Sequence, residues 1–361
     1  MNTFIPGIEL SRAFYTDVVG KLVHFPHAAA LLGEGSEVMG YDQPRSTDHS
    51  WGPRLQLFVG AARLREAAQA LESGLPDEFK GYPVRFYSWQ TGTVRHHVEV
   101  TTLDDWLLSQ LRIERHTELT PEKWLAMPQQ HLLQFTAGEV FRDDLGELTE
   151  MRRRFSQYPD DVWLWMMAAQ WHLIGNAEPL LGRTVEAGDV RGSALIAYRL
   201  VRLMMEMCFL QERRYWPYSK WFGTAFSKLQ IAPALGPVLD EVLAATEPSD
   251  RHRAVSGALV MIAERHNALG VAPQVPPIVA PFQVGINDAV RPYRVLNAGS
   301  YAEACRQAIA DETLRQTVAV GGIDQLTHAD DALINFTSWP CHLEAGYKAE
   351  LEIKPSGRDG S

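Results

Sequence analysis

Only three cysteines, Cys208, Cys305 and Cys341, occur in the 361 residues. No two stand in CxxC spacing, so neither a disulfide framework nor a cysteine-built zinc site is expected. Positive charge is also short: 34 lysines and arginines face 44 aspartates and glutamates, a formal net charge of -10. That deficit disfavours a general grip on a nucleic-acid backbone and leaves room only for a local basic groove. No apolar run is long enough to span a bilayer, and the stretch "SGALVMIAERH" is interrupted by charge. The opening residues "MNTFIPGIELSRAFY" lack the basic segment and apolar core of a secretory leader. A cytoplasmic protein with reduced thiols and no membrane partner is the expectation. No internal repeat of fixed period is visible.

What is present points to a folded chain. Hydrophobic residues make up 46% and charged residues 22%, a balance suited to burying a core. The length exceeds the usual need of one compact domain, so two are expected. Apolar residues recur every three or four positions in "IELSRAFYTDVVGKLV", which predicts helix from about Leu10 to Leu32, ended or kinked at Pro26. "LQLFV", Leu55 to Val59, alternates like a strand, and a helix from about Ala61 to Leu71 follows it. Further strands are expected around Val84 to Trp89 and Thr93 to Thr102. On the latter, His96, Val98 and Val100 face one way and Arg95, His97 and Glu99 the other. A helix then opens at Thr102 or Leu103, with Asp104 and Asp105 where its dipole favours them. Beyond about residue 118 strand alternation fades into long helical segments, broken by the proline-rich "GVAPQVPPIVAPFQ". The predicted class is α+β: a mixed-sheet domain over residues 1–118, then a larger all-helical domain over residues 119–361.

The stretch from Leu31 to Val59, "LLGEGSEVMGYDQPRSTDHSWGPRLQLFV", gathers groups with chemistry beside an apolar strand. Glycine at Gly35 lets backbone amides approach a phosphate, and the Ser36 hydroxyl can donate to one. This is not a P-loop, because no Gly-Lys-Ser/Thr follows. Asp48 precedes the strand and Glu99 lies on the exposed face of "HHVEV". Two carboxylates on neighbouring strands could hold Mg²⁺, or one could cap a turn while the other faces water. Arg54 is a candidate phosphate contact or a partner for Asp48; His97 is a proton-transfer candidate or a packed histidine. A second candidate is "CFLQERRYWPYSKWFGTAFSKLQ", where basic and aromatic residues interleave. Its aromatics could equally form core, with the lysines reaching outward.

Gly35-Ser36, Asp48 and Glu99 resemble the Gly-Ser turn, the first carboxylate and the third carboxylate of the DNA polymerase beta-like nucleotidyltransferase superfamily. The strings "GYDQPRSTDHSWGPRLQLFV", "FKGYPVRF", "HHVEVTT" and "YWPYSKWFGTAFSKL" resemble the uncharacterised family DUF4037, assigned to that fold with a helical C-terminal part. The resemblance implies Mg²⁺ (or Mn²⁺) on Asp48 and Glu99. It implies ATP or another nucleoside triphosphate steadied by Gly35, Ser36 and Arg54. It further implies nucleotidyl transfer to a hydroxyl or phosphate of a small-molecule or protein acceptor. Because nucleotide or acceptor often lies between the two parts of such proteins, Tyr218, Lys220 and Lys228 become binding candidates. The chain departs from the pattern at Ser50, which stands where the second carboxylate falls. A neutral hydroxyl is a poor bridging ligand, so a catalytically degenerate nucleotide-binding or regulatory protein is the alternative reading.

Overall fold

The first helical run stops at Leu22, short of Pro26, and the chain then enters a strand at Ala28. The computed structural model describes residues 4–48, 51–88, 91–283 and 290–353. The chain divides into two compact units, residues 1–118 with 130–156, and residues 119–129 with 157–361. The chain therefore returns to the first unit for residues 130–156, which the expected division at 118/119 places in the second.

The first unit is a mixed region of strands and helices. Its strands are β1 (Ala28–Leu31), β2 (Arg54–Phe58), the short hairpin β3 (Glu78–Phe79) and β4 (Tyr82–Pro83), β5 (Arg85–Ser88), β6 (Thr93–Thr101) and β7 (Glu139–Asp143). Five form one sheet in the order β5-β6-β2-β1-β7. All neighbours are antiparallel except β2 and β6. That parallel pair needs a crossover, which the helix Leu64–Gly74 supplies. Leu55, Leu57 and Val98 from the strands, with Val59 just past β2, pack with Phe14, Val19, Ala67 and Leu71 from the helices in one core. On the other face Phe58 meets Trp106 edge-on at 6.1 Å, and Trp106 meets Phe135 at 5.3 Å. Thr102 caps the helix Leu103–Leu111 by accepting the Asp105 N–H at 3.0 Å.

Two expected helices are corrected here. Residues 28–31 are β1, buried along its whole length between β2 and β7. Within the stretch beyond residue 118, residues 138–158 are expected to form one of the long helices; they begin instead as β7, and only Glu147–Arg154 is helical. The short basic run "RRRF", Arg152 to Phe155, is expected to form a solvated helix face, and Arg152 departs from it. Its guanidinium donates to the carbonyls of Phe135, Thr136 and Ala137 at 3.1, 2.8 and 2.8 Å, closing the C-terminal end of the helix Gln129–Thr136.

The second unit is largely helical, built around the long helices Asp160–Ala187, Val190–Gln211 and Pro248–Leu269. It is not all-helical: β8 (Ala280–Gln283) and β9 (Val290–Val295) pair antiparallel. The Glu178 carboxylate, buried in the first of those helices, accepts the Leu296 N–H at 2.5 Å just after β9.

Candidate functional site

β2 and β6 run side by side with Arg54 opposite His97 and Gln56 opposite Glu99. Leu55, Leu57 and Val98 enter the core. By the two-residue alternation, Arg54, Gln56, His97 and Glu99 therefore share the opposite face. Phe58 and Trp106 cover one end of that face. In the middle of it Glu99 is exposed, while Gln56 is buried and accepts the Leu32 N–H at 2.8 Å.

The loop after β1 closes on Arg54. Arg54 Nε donates to Glu37 Oε1 at 2.7 Å, and Nη2 donates to the Glu34 carbonyl. The pair is nearly dry, with side-chain exposures of 16% for Arg54 and 5% for Glu37. Gly35 lies directly against it at φ +126. A Cβ there would stand 2.5 Å from Arg54 Nη2 and 2.6 Å from each Glu37 carboxylate oxygen. The missing side chain is therefore required by the chain's own ion pair. The half-buried Ser36 comes next, and its carbonyl accepts the Tyr41 N–H at 2.8 Å. Asp42 Oδ2 accepts the Gly7 N–H at 2.7 Å and the Trp51 indole N–H at 3.0 Å. These bonds tie the loop to the start of the first helix.

Asp48 ends an exposed 3-10 helix, Pro44–Asp48, ahead of β2. The expected arrangement of two carboxylates on neighbouring strands is corrected accordingly: Glu99 is on β6 and Asp48 is on no strand. Ser50 and His49 lie outside the described residues. Among the described residues no three His, Cys, Asp or Glu side chains group closely enough to hold a metal ion. Mg²⁺ in phosphoryl chemistry usually takes one or two carboxylates plus substrate phosphates and water. Of the two expected carboxylate ligands, Glu99 is exposed on β6 and Asp48 is exposed ahead of β2.

His97 is a packing residue. Its ring lies on Phe86 with centroids 3.7 Å apart and planes 2° from parallel. Its Nε2–H donates to the Phe86 carbonyl at 3.1 Å, and burial lowers its pKa below the usual range. Gly52 closes the other side, since a Cβ there would meet the Phe86 ring at 2.7 Å.

Tyr218, Lys220 and Lys228 belong to the second unit. Tyr218 is exposed just before the helix Ser219–Phe226. Lys220 is exposed with Nζ 5.1 Å from the Trp221 ring centroid, and the exposed Lys228 accepts a long bond on its carbonyl from Arg214 at 3.5 Å. Most aromatics around them are core: Tyr215, Trp216, Phe222 and Phe226 are buried. Tyr215 meets Tyr158 edge-on at 5.2 Å, and burial drives its hydroxyl pKa far above the usual range. Tyr215 is a core residue.

Glu37, Gln56 and Asp42 are the residues that sequence reasoning undervalued. A glutamate directly after Gly-Ser, with an arginine opening the next strand, is the signal that could have found the pair.

Residues 124–222 match the family described as a domain of unknown function, DUF4037. The chain contains a DUF4037 domain. It occupies under a third of the chain and includes "YWPYSKWF" at its end, whereas the Gly35 loop, β2 and β6 lie before it. No curated protein and no solved structure matches the chain.

Proposed function

We propose that the first unit is a nucleotidyltransferase-type fold that binds a nucleoside triphosphate with Mg²⁺ (or Mn²⁺) and transfers its nucleotidyl group. The acceptor would be a hydroxyl or phosphate on a small molecule or protein. The observation that carries this reading is the parallel β2–β6 pair. It sets Glu99 beside Gln56, two residues along β2 from the arginine that grips the Gly35 loop. Glu99 and Asp48 would hold the metal, which when bound neutralises phosphate charge and polarises the reacting phosphoryl group. The chain's own part is positioning. Asp42 and the Tyr41–Ser36 bond hold the loop before any ligand arrives, which limits the ordering entropy lost on binding. Tyr218, Lys220 and Lys228 are assigned to the nucleotide or acceptor by the same reading, and their exposure is compatible with it.

The alternative, nucleotide binding without transfer, is favoured by one feature: Arg54 is already committed to Glu37. Pyrophosphate release from each of the four common triphosphates with Mg²⁺ separates the two. Transfer predicts release that Glu99→Gln lowers by about 100-fold or more. Metal-dependent binding with no release by either protein favours the alternative.

A further inference from the structure

The Gly35 turn already holds an anion, and that anion is the chain's own Glu37. Both of its carboxylate oxygens and Arg54 Nη2 crowd the place where a Gly35 Cβ would stand, and Arg54 Nε donates to the same carboxylate at 2.7 Å. A glycine without a side chain beside a guanidinium leaves room for a phosphate oxygen as it does for a carboxylate. Here the carboxylate stands in for it.

We propose that Glu37 is an internal competitor at this turn, so that the triphosphate of an incoming nucleotide binds by drawing Arg54 away from Glu37. The inference rests on the nucleotide reading of the first unit and deepens it by naming the residue that limits affinity. Arg54 opens β2, where the two-residue alternation puts it on the face that carries Glu99. Its guanidinium has five donors in a fixed fork, enough to move from a carboxylate to a phosphate with its geometry retained. Glu37 opposes the incoming anion twice, by holding the arginine and by like-charge repulsion over a few ångströms in a poorly hydrated place. A purely structural pair and a competing pair make opposite predictions. Removing charge from a structural pair weakens or spares ligand binding; removing it from a competitor strengthens binding.

The test is calorimetric titration of full-length wild-type protein and Glu37→Gln with inorganic triphosphate and Mg²⁺, then with the nucleoside triphosphates. The amide keeps an oxygen for Arg54 and loses the charge. The expected result is inorganic triphosphate binding about tenfold tighter to Glu37→Gln than to wild type, or detectable in the variant alone. Arg54→Lys, which keeps charge and loses the fork, is expected to bind more weakly than wild type. If Glu37→Gln does not fold, Glu37→Asp, whose shorter arm withdraws the carboxylate from Gly35, is expected to shift affinity in the same direction. Wild-type binding that the Glu37 variants leave equal or weaker overturns the competitor and spares the nucleotide reading. No binding of any triphosphate by folded wild type and variants overturns both.

Discussion

Gly35 and Arg152 show how single residues are fixed by groups that periodicity does not reveal. At Gly35 a methyl group would have to displace a nearly dry ion pair while adopting φ +126. Gly35→Ala is therefore expected to cost about 2–4 kcal/mol of unfolding free energy, read by urea denaturation. A loss under about 0.5 kcal/mol would mean that the loop relaxes freely and that the pair does not shape it. Arg152 carries a charge that answers three helix-end carbonyls, and its pKa is lowered by burial. Arg152→Met leaves those acceptors without their donor and should cost about 2–3 kcal/mol in the same assay. The first of the three arginines in "EMRRR" looks solvated because its neighbours Arg153 and Arg154 are exposed. Nothing local distinguishes the one that turns inward.

Buried carboxyls in the helical unit make its elements sensitive to pH. Glu178 holds the turn after β9, and Asp324, at the start of the helix Ile323–Thr327, accepts the Gln129 N–H at 2.9 Å. Burial raises both to about 7, from ordinary values of 4.5 and 3.8. The folded state thus keeps protons that the unfolded chain releases from about pH 4 upward. Their contribution to stability is full at low pH and is lost as pH rises through about 7. The melting temperature of Glu178→Gln relative to wild type should accordingly rise between about pH 5 and about pH 7, because the variant lacks the proton that wild type loses there. A difference between the two proteins that stays constant or falls over this range would contradict the assignment. These long helices were legible from their apolar spacing, as were β2, β6 and the helix Leu64–Gly74. β1 was not, because Ala28, Ala29 and Ala30 favour helix locally and become strand only by pairing on both sides. β7 was hidden similarly, since its edge pairing with β1 is a long-range contact. The candidate site was legible as residue types near Gly35 and Glu99. Its geometry was not, because Asp48 on a 3-10 helix and Glu37 beneath Arg54 depend on how the loop folds back.

At the scale of the whole molecule, a net charge of -10 makes metal-complexed triphosphate a more favourable ligand than free triphosphate. No helix among the described residues is long and apolar enough to cross a membrane. The mixed unit supplies the proposed nucleotide face, and the DUF4037 match lies mainly among helices that come after it. Binding at the Glu99 face can be separated from folding because Glu99 is exposed and its replacement by glutamine leaves the core intact. The decisive measurement is a thermal-shift titration of wild type and Glu99→Gln with ATP, CTP, GTP and UTP, each with and without Mg²⁺ or Mn²⁺. A metal-dependent stabilisation of wild type by at least one triphosphate, about 2.7 kcal/mol at a hundredfold excess over Kd and lost in Glu99→Gln, is the predicted result. No stabilisation of well-folded wild type by any triphosphate, or an equal shift in both proteins, would contradict it.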